Sequence, residues 1–367
     1  MLGDECDGFQ YGLNSQAVEF DGVHGYLRIT DIDNESSQFL NSGLTSPASF
    51  DEKHLVLEGD ILFARTGASV GKSYLYSKQD GKLYFAGFLI RAHINKGTNS
   101  FFVYYQTKTK RFKEWVKQMS ARSGQPGINS KEFASFSFFK PKREEQEKIA
   151  SLLYAIDHRT LVQRKIIEDL ELLSKAITDS VFSESICSTD LGKYIVQRTE
   201  RAGEKRFPVF SISNEIGFLP QKTQFSGREL ASENVSRYKV VQKGDFAFNP
   251  ARINVGSISQ YMGVAPVIIS PMYIVFVPKK QGYSDLLNSY FKSSFFSNSM
   301  KRKLEGSVRK CLSLKSLCSL GIPDDNEQKR SALLAIDNLI RKQLSFEETI
   351  FQKEILLKGY FLNSLFI

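Results

Sequence analysis

Gly67-Ala68-Ser69-Val70-Gly71-Lys72-Ser73 is the segment that most invites a chemical reading. Two glycines followed by Lys and Ser can cradle a phosphate, with backbone N–H groups wrapping the anion and the lysine supplying charge. The spacing argues against it, because a phosphate-binding loop needs one more residue between its glycines than the three found here. Asn249-Pro250-Ala251-Arg252 invites a second reading. Enzymes that methylate the amino group of adenine use Asn-Pro-Pro-Tyr or a close variant to hold the amine and stack the flipped base. Here the second proline and the aromatic are missing, and no glycine-rich loop for S-adenosylmethionine stands out. Asp31 and Asp33 lie close together, but acidic residues near a strand end usually form turns. Cys6, Cys187, Cys311 and Cys318 form no C-x-x-C pair and the histidines are scattered, so neither zinc nor a disulfide framework is expected.

With catalysis set aside, binding remains. Lys and Arg number 49 against 40 Asp and Glu, a net charge of +9, which favours a polyanion such as nucleic acid. In the first half the candidate contacts are Arg65, Thr66, Lys72, Arg91, Lys108, Lys110, Arg111, Arg122, Ser123 and Gln125, with Lys113 and Lys117 in the same dense set. In the second half they are Arg252, Asn254, Ser307, Arg309 and Lys310, with Lys301, Arg302 and Lys303 nearby. Lys and Arg gain affinity by displacing counterions from phosphates, while Arg, Asn and Gln can also read base edges in the major groove. Trp115 lies among the cations but is expected in a core rather than as a stacking platform.

The elements that must position these residues repeat. Residues 59–76 read GDILFARTGASVGKSYLY, and 185 residues further on GDFAFNPARINVGSISQY begins at Gly244. Without a gap, Gly59-Asp60, Phe63, Val70-Gly71 and Tyr76 match Gly244-Asp245, Phe248, Val255-Gly256 and Tyr261. LRITDID (27–33) pairs with VFSISNEIG (209–217), FLIRAHI (88–94) with YIVFVP (273–278), Ser123-Gly124 with Gly306-Ser307, and Pro141…Glu145-Gln146 with Pro323…Glu327-Gln328. Several signals in one order make a duplicated unit, each copy a β-rich globule followed by a helix. The glycine of the would-be phosphate loop survives in the second copy while its lysine does not, which marks a structural turn.

From Lys142 to Ser183, and again from Asp324 to Lys358, there is no Pro or Gly. Ile149, Leu153, Ile156, Ile166, Leu170, Leu173 and Ile177 step by threes and fours along the first stretch; Leu333, Ile336, Ile340, Leu344, Phe351, Ile355 and Leu362 do so along the second. A lone helix this long with one apolar stripe needs a partner, and the simplest is the other helix, in a coiled coil of roughly 60 Å. Shorter helices are expected over 99–119 and 283–304. The rest of both globules carries short β-branched and aromatic runs punctuated by Gly, Asn, Asp and Ser. The expected fold is α+β: two mixed, mainly β domains at 1–140 and 184–322, separated by long helices at 141–183 and 323–367. The opening MLGDECDG lacks the regions of a signal peptide and no run of 18 apolar residues occurs, so a cytoplasmic chain without membrane contact is expected.

GDILFARTGASVGKS, SGQPGIN and PKREEQEKIASLLYAID, followed by GDFAFNPARINVGS, EGSVRKCLS and PDDNEQKRSALLAID, resemble the two halves of a type I restriction–modification specificity subunit. The resemblance implies two target-recognition domains, each reading half of a split target in double-stranded DNA, and an antiparallel coiled coil that fixes their spacing with an internal pseudo-two-fold repeat. It also implies two modification (methyltransferase) subunits docked on the helices, with restriction (endonuclease and translocase) subunits joining them. S-adenosylmethionine, Mg and ATP would then be used by those partners and none by this chain, which is not itself an enzyme. An orphan DNA-binding or decoy scaffold, outside any active enzyme, stays open at this point. Two departures stand out: Gln146 precedes Asp157 by eleven residues where Gln328 precedes Asp337 by nine, and the second copy lacks the Arg-Thr-Gly of the first. The second long helix is therefore expected to begin in a different register.

Overall fold

The computed structural model describes residues 1–34, 36–121, 125–182, 188–214, 216–221, 235–280, 282–306, 310–323 and 327–366. They form two compact units, one from Met1–Arg164 with Thr349–Ile367, the other from Lys165–Glu348. The architecture is α+β in both.

In the first unit the principal sheet has four antiparallel strands in the order Cys6–Tyr11, Leu89–Ile94, Asp60–Ala64, Ser73–Leu75. Asp60–Ala64 is buried at every position. Its alternation explains an unbroken apolar run, since Ile61 and Phe63 enter one core cluster while Leu62 and Ala64 enter another. A short parallel pair, Gly25–Leu27 with Leu83–Phe85, lies in the second of these layers. The segment read as a strand over 27–33 keeps that form only at its start, and Ile29–Asp31 is a 3-10 turn closed by Arg28 and Asp31. Helices follow at Ser100–Gln106, Lys110–Met119 and Ser130–Ala134. The single helix expected over 99–119 is thus two. The Thr109 hydroxyl accepts from the Phe112 N–H and starts a new helix, while Thr107 Oγ1 lies 2.6 Å from Ser73 Oγ. Trp115 packs on Phe112, Phe133 and Phe136, in the core as expected.

The second unit repeats this plan. Its principal sheet runs Ile195–Arg198, Ile274–Pro278, Phe246–Phe248, Ile258–Gln260, again antiparallel throughout. Val209–Ser213 lies parallel to Val267–Ile269, the counterpart of the short parallel pair, and here extends to four strands with Gly217–Pro220 and Lys239–Val241. The helix expected over 283–304 is also split. Tyr283–Lys292 ends and Ser294–Arg302 begins at Ser293, whose extended backbone (ψ 149°) and hydroxyl on the Phe296 N–H cap the new helix.

The long helices are Arg143–Phe182 and Glu327–Ser364, and each contributes residues to both units. Within the first unit they run antiparallel: Asp157 pairs with Lys358, Arg159 with Glu354, and the Arg164 guanidinium lies 5.6 Å over the Phe351 ring. Within the second unit Ser174 Oγ donates to Asp337 at 2.5 Å. The seam differs in part from the expected apolar stripe. Leu153 and Ile156 are buried, Leu153 within the first unit's core, but Ile166, Leu173, Ile336 and Ile355 are exposed. Polar Gln163, Ser174, Thr178, Asp337 and Glu354 are buried instead. Ile149, Leu170, Ile177, Leu333, Ile340, Leu344, Phe351 and Leu362 are half-buried.

Candidate nucleic-acid interface

The repeated Gly-Asp turn is the base of the site. Asp60 and Asp245 each accept a backbone N–H from three residues upstream, Leu57 at 2.7 Å and Gln242 at 2.8 Å. Each buried carboxylate is then held by a basic side chain of the same sheet. Asp60 meets Arg91 at 3.4 Å and His93 Nδ1 at 2.6 Å, and Asp245 meets Arg198 Nε at 2.7 Å. Burial pushes both carboxyl pKa values up in spite of these partners. The chemistry legible here is structural: a buried acid that anchors the strand leading to the turn.

The strand ends on Arg65-Thr66-Gly67 in the first unit. A second loop is strapped onto this turn, the Ile128 N–H donating to Arg65 O at 2.9 Å and the Gly67 N–H to Pro126 O at 2.9 Å. Thr66 and Gly127 form a β-bridge, and Gln125 comes beside Gly67. Arg65 lies 5.0 Å over the Tyr11 ring, and the Tyr11 hydroxyl exchanges hydrogen bonds with Ser130. These bonds, with the Arg65 charge, lower the Tyr11 pKa. The Asn129–Glu132 capping box fixes where the strap enters its helix.

Gly71 closes the turn at φ +83°, and a Cβ there would meet the Val116 side chain at 2.6 Å. That contact sets Lys110–Met119 alongside the turn. The helix buries Phe112 and exposes Lys110, Arg111, Lys113 and Lys117. Turn and strap therefore bring together Arg65, Thr66 and Gln125, and the helix packed on the turn exposes Lys110 and Arg111.

Three other expected contacts are engaged inside the fold. Lys72 donates to Ile32 O and to Asn34 Oδ1 at 2.8 Å, which ties its ammonium to the 29–34 turn. Arg91 donates to Leu55 O at 2.7 Å, to Lys53 O at 3.1 Å and to Gln10. Lys108 donates to Ser73 O and Oγ at 2.9 and 2.8 Å beneath the Tyr104 ring. Burial, then the nearby Lys358 charge, holds the Lys108 pKa well below that of an ordinary lysine. Arg122, Ser123, Ser307 and Arg309 lie outside the described residues.

In the second unit the same edge carries Pro250-Ala251-Arg252, closed by Gly256 at φ +91°. The strap is equivalent: the Leu312 N–H donates to Pro250 O at 3.0 Å, and Glu305 bridges Cys311. Arg252, Asn254 and Lys310 are exposed there. Among the described residues no cluster of His, Cys, Asp and Glu could hold a metal ion, and no described helix is long and apolar enough to cross a membrane.

Each unit is an α+β lobe with a strapped polar turn at one sheet edge, and the two long helices contribute residues to both. Residues 13–172 match the family model described as "Type I restriction modification DNA specificity domain". A specificity subunit of the MjaVIII type I restriction enzyme from Methanocaldococcus jannaschii is 25% identical over 175 residues, which are 46% of this chain and 37% of that protein. The match thus spans little more than a third of that relative. The crystal structure of the type I restriction–modification S subunit from M. genitalium superposes with a TM-score of 0.66 at 16% identity, covering 100% of this chain and 95% of that one. A structure from work on complex assembly and conformational transition of the type I restriction–modification system gives 0.51 at 14% identity, covering 98% and 97%. By sequence the likeness to type I restriction–modification specificity subunits covers 46% of this chain, and the two solved structures share its fold.

Proposed function

We propose that this chain is the DNA-recognition subunit of a type I restriction–modification complex, reading a two-part target with one turn from each unit. One observation carries the reading: the same strapped turn occurs twice at the same sheet edge, presenting Arg65, Thr66 and Gln125 in one unit and Arg252 and Asn254 in the other. Arg and the amides can pair with base edges, and the Lys110–Met119 helix supplies phosphate contacts. The chain carries no chemistry of its own. Methylation with S-adenosylmethionine and ATP- and Mg-dependent cleavage belong to modification and restriction subunits in the cytoplasm.

Two modification subunits would dock on the long helices. Leu172, Leu339, Phe346, Leu356 and Tyr360 are exposed there at 60–72%, more apolar surface than a solvated helix needs. Joining two weak half-site contacts makes the second intramolecular and raises affinity without new contacts. Sequencing methylated adenines in cells with and without this chain tests the reading. A split motif should vanish with the chain; an unchanged methylome would overturn it. Lengthening both helices by one heptad should widen the gap between the half-motifs.

A further inference from the structure

Sheet register puts one apolar residue at an equivalent place in each unit. Ala64 pairs with Leu89, so Phe88 stands opposite Arg65. Phe248 pairs with Ile274, so Met272 stands opposite Pro250. Phe88 is 62% exposed and Met272 is 62% exposed, each on a turn entering a buried strand. Their surroundings hold them in place. The Arg65 N–H donates to Phe88 O at 3.1 Å, and Asn249 Nδ2 lies 3.7 Å from Met272 Sδ. A large apolar side chain held in water beside a cationic turn has no role in either core.

We propose that Phe88 and Met272 are specificity-determining wedges, each seated against one base step of its half-site while the adjoining turn reads base edges. This rests on the DNA-reading function above and names the further residue in each unit that performs it. Phe and Met are side-chain types that proteins press between or against base pairs, where apolar contact replaces stacking. The occupant follows from charge. Phe88 emerges beside Arg65, and the turn it borders packs against the helix that exposes Lys110, Arg111, Lys113 and Lys117. An apolar tip framed by cations suits a duplex, whose base stack lies between phosphate rows.

The test uses the full chain with its modification subunit and three duplexes: the methylome-derived target, and two in which one half or the other is scrambled. Phe88→Ser should raise Kd on the intact target about tenfold, and Phe88→Leu by no more than about twofold. On the duplex whose Phe88-side half is scrambled, Phe88→Ser should bind as the parent does. Met272→Ser should show the same pattern for the opposite half. Parental affinity of both serine variants on the intact target overturns the wedge, as does loss of the modification subunit from purified Phe88→Ser, which would make the site a protein interface. If the parent complex itself shows no preference for the intact target, the DNA-reading function fails and takes the wedge with it.

Discussion

The two units share their scaffold and differ at its edge. Asp60 and Asp245 close the same turn, the straps from Ile128 and Leu312 reach the same carbonyl position, and strand order is the same. At the edge, Arg65 lies over Tyr11 while its counterpart is Pro250, and the exposed cation moves two positions on, to Arg252. Duplication kept what the fold requires and released what solvent meets. Two lobes with one skeleton and unlike tips suit recognition of two unlike half-sites.

The sharpest break in the symmetry lies at the two Ala-Ile-Asp aspartates. Asp337 is fully buried, accepting from Ser174, Ser289 and Arg341. Asp157 is 25% exposed at its side chain and accepts from the Tyr105 hydroxyl at 3.0 Å beside Lys358. Asp337→Ala strands Arg341 and two hydroxyls and should cost about 3–5 kcal/mol, whereas Asp157→Ala should cost about 1–2 kcal/mol. Urea unfolding followed separately in each unit would measure both, and equal losses would mean that the two pins are equivalent. Next in size, Arg65→Ala should weaken binding by roughly 1–3 kcal/mol and relax one half of the methylated motif, while Arg252→Ala relaxes the other. If both variants relaxed the same half, the assignment of one turn to each half-site would fail.

A smaller and uniform effect is expected from Lys113→Ala. It should lower affinity a few-fold on every sequence and reduce the salt slope by about one. Arg91→Met, by contrast, should lower the melting temperature and leave the motif unchanged. Last comes a slope. The folded Lys108 takes up a proton less readily than the unfolded chain, so stability rises with pH from its depressed pKa toward 10.5. Lys108→Met should remove that rise, and melts at about pH 7 and about pH 9 would show it.

The long helices, the duplicated strands and the turn glycines were legible because their signals are local: apolar period, β-branched runs, a glycine kept where a lysine was lost. The polar seam was not. Ser174 and Asp337 lie 163 residues apart, and no local signal pairs them. The breaks at Thr109 and Ser293 hid inside helical periodicity, because one hydroxyl capping an N–H decides them. Lys72, Arg91 and Lys108 read as free cations because their acceptors, mostly backbone carbonyls, arrive only with the tertiary fold. The two helix starts also differ in what their glutamines do. Gln146 is buried, accepting the Asn99 N–H at 3.0 Å and donating to Pro141 O at 2.8 Å, whereas Gln328 faces solvent.

The first unit is discontinuous in the chain, and this bears on its birth. The rings of Phe102 and Phe366 lie 5.4 Å apart, and Asp157 pairs with Lys358. While the ribosome is still making the second lobe, in the first Asp157 lacks its lysine and Phe102 lacks the ring of Phe366. Its maturation must trail that of the segment made after it, so a nascent chain stalled midway would offer chaperones a lobe with one wall missing.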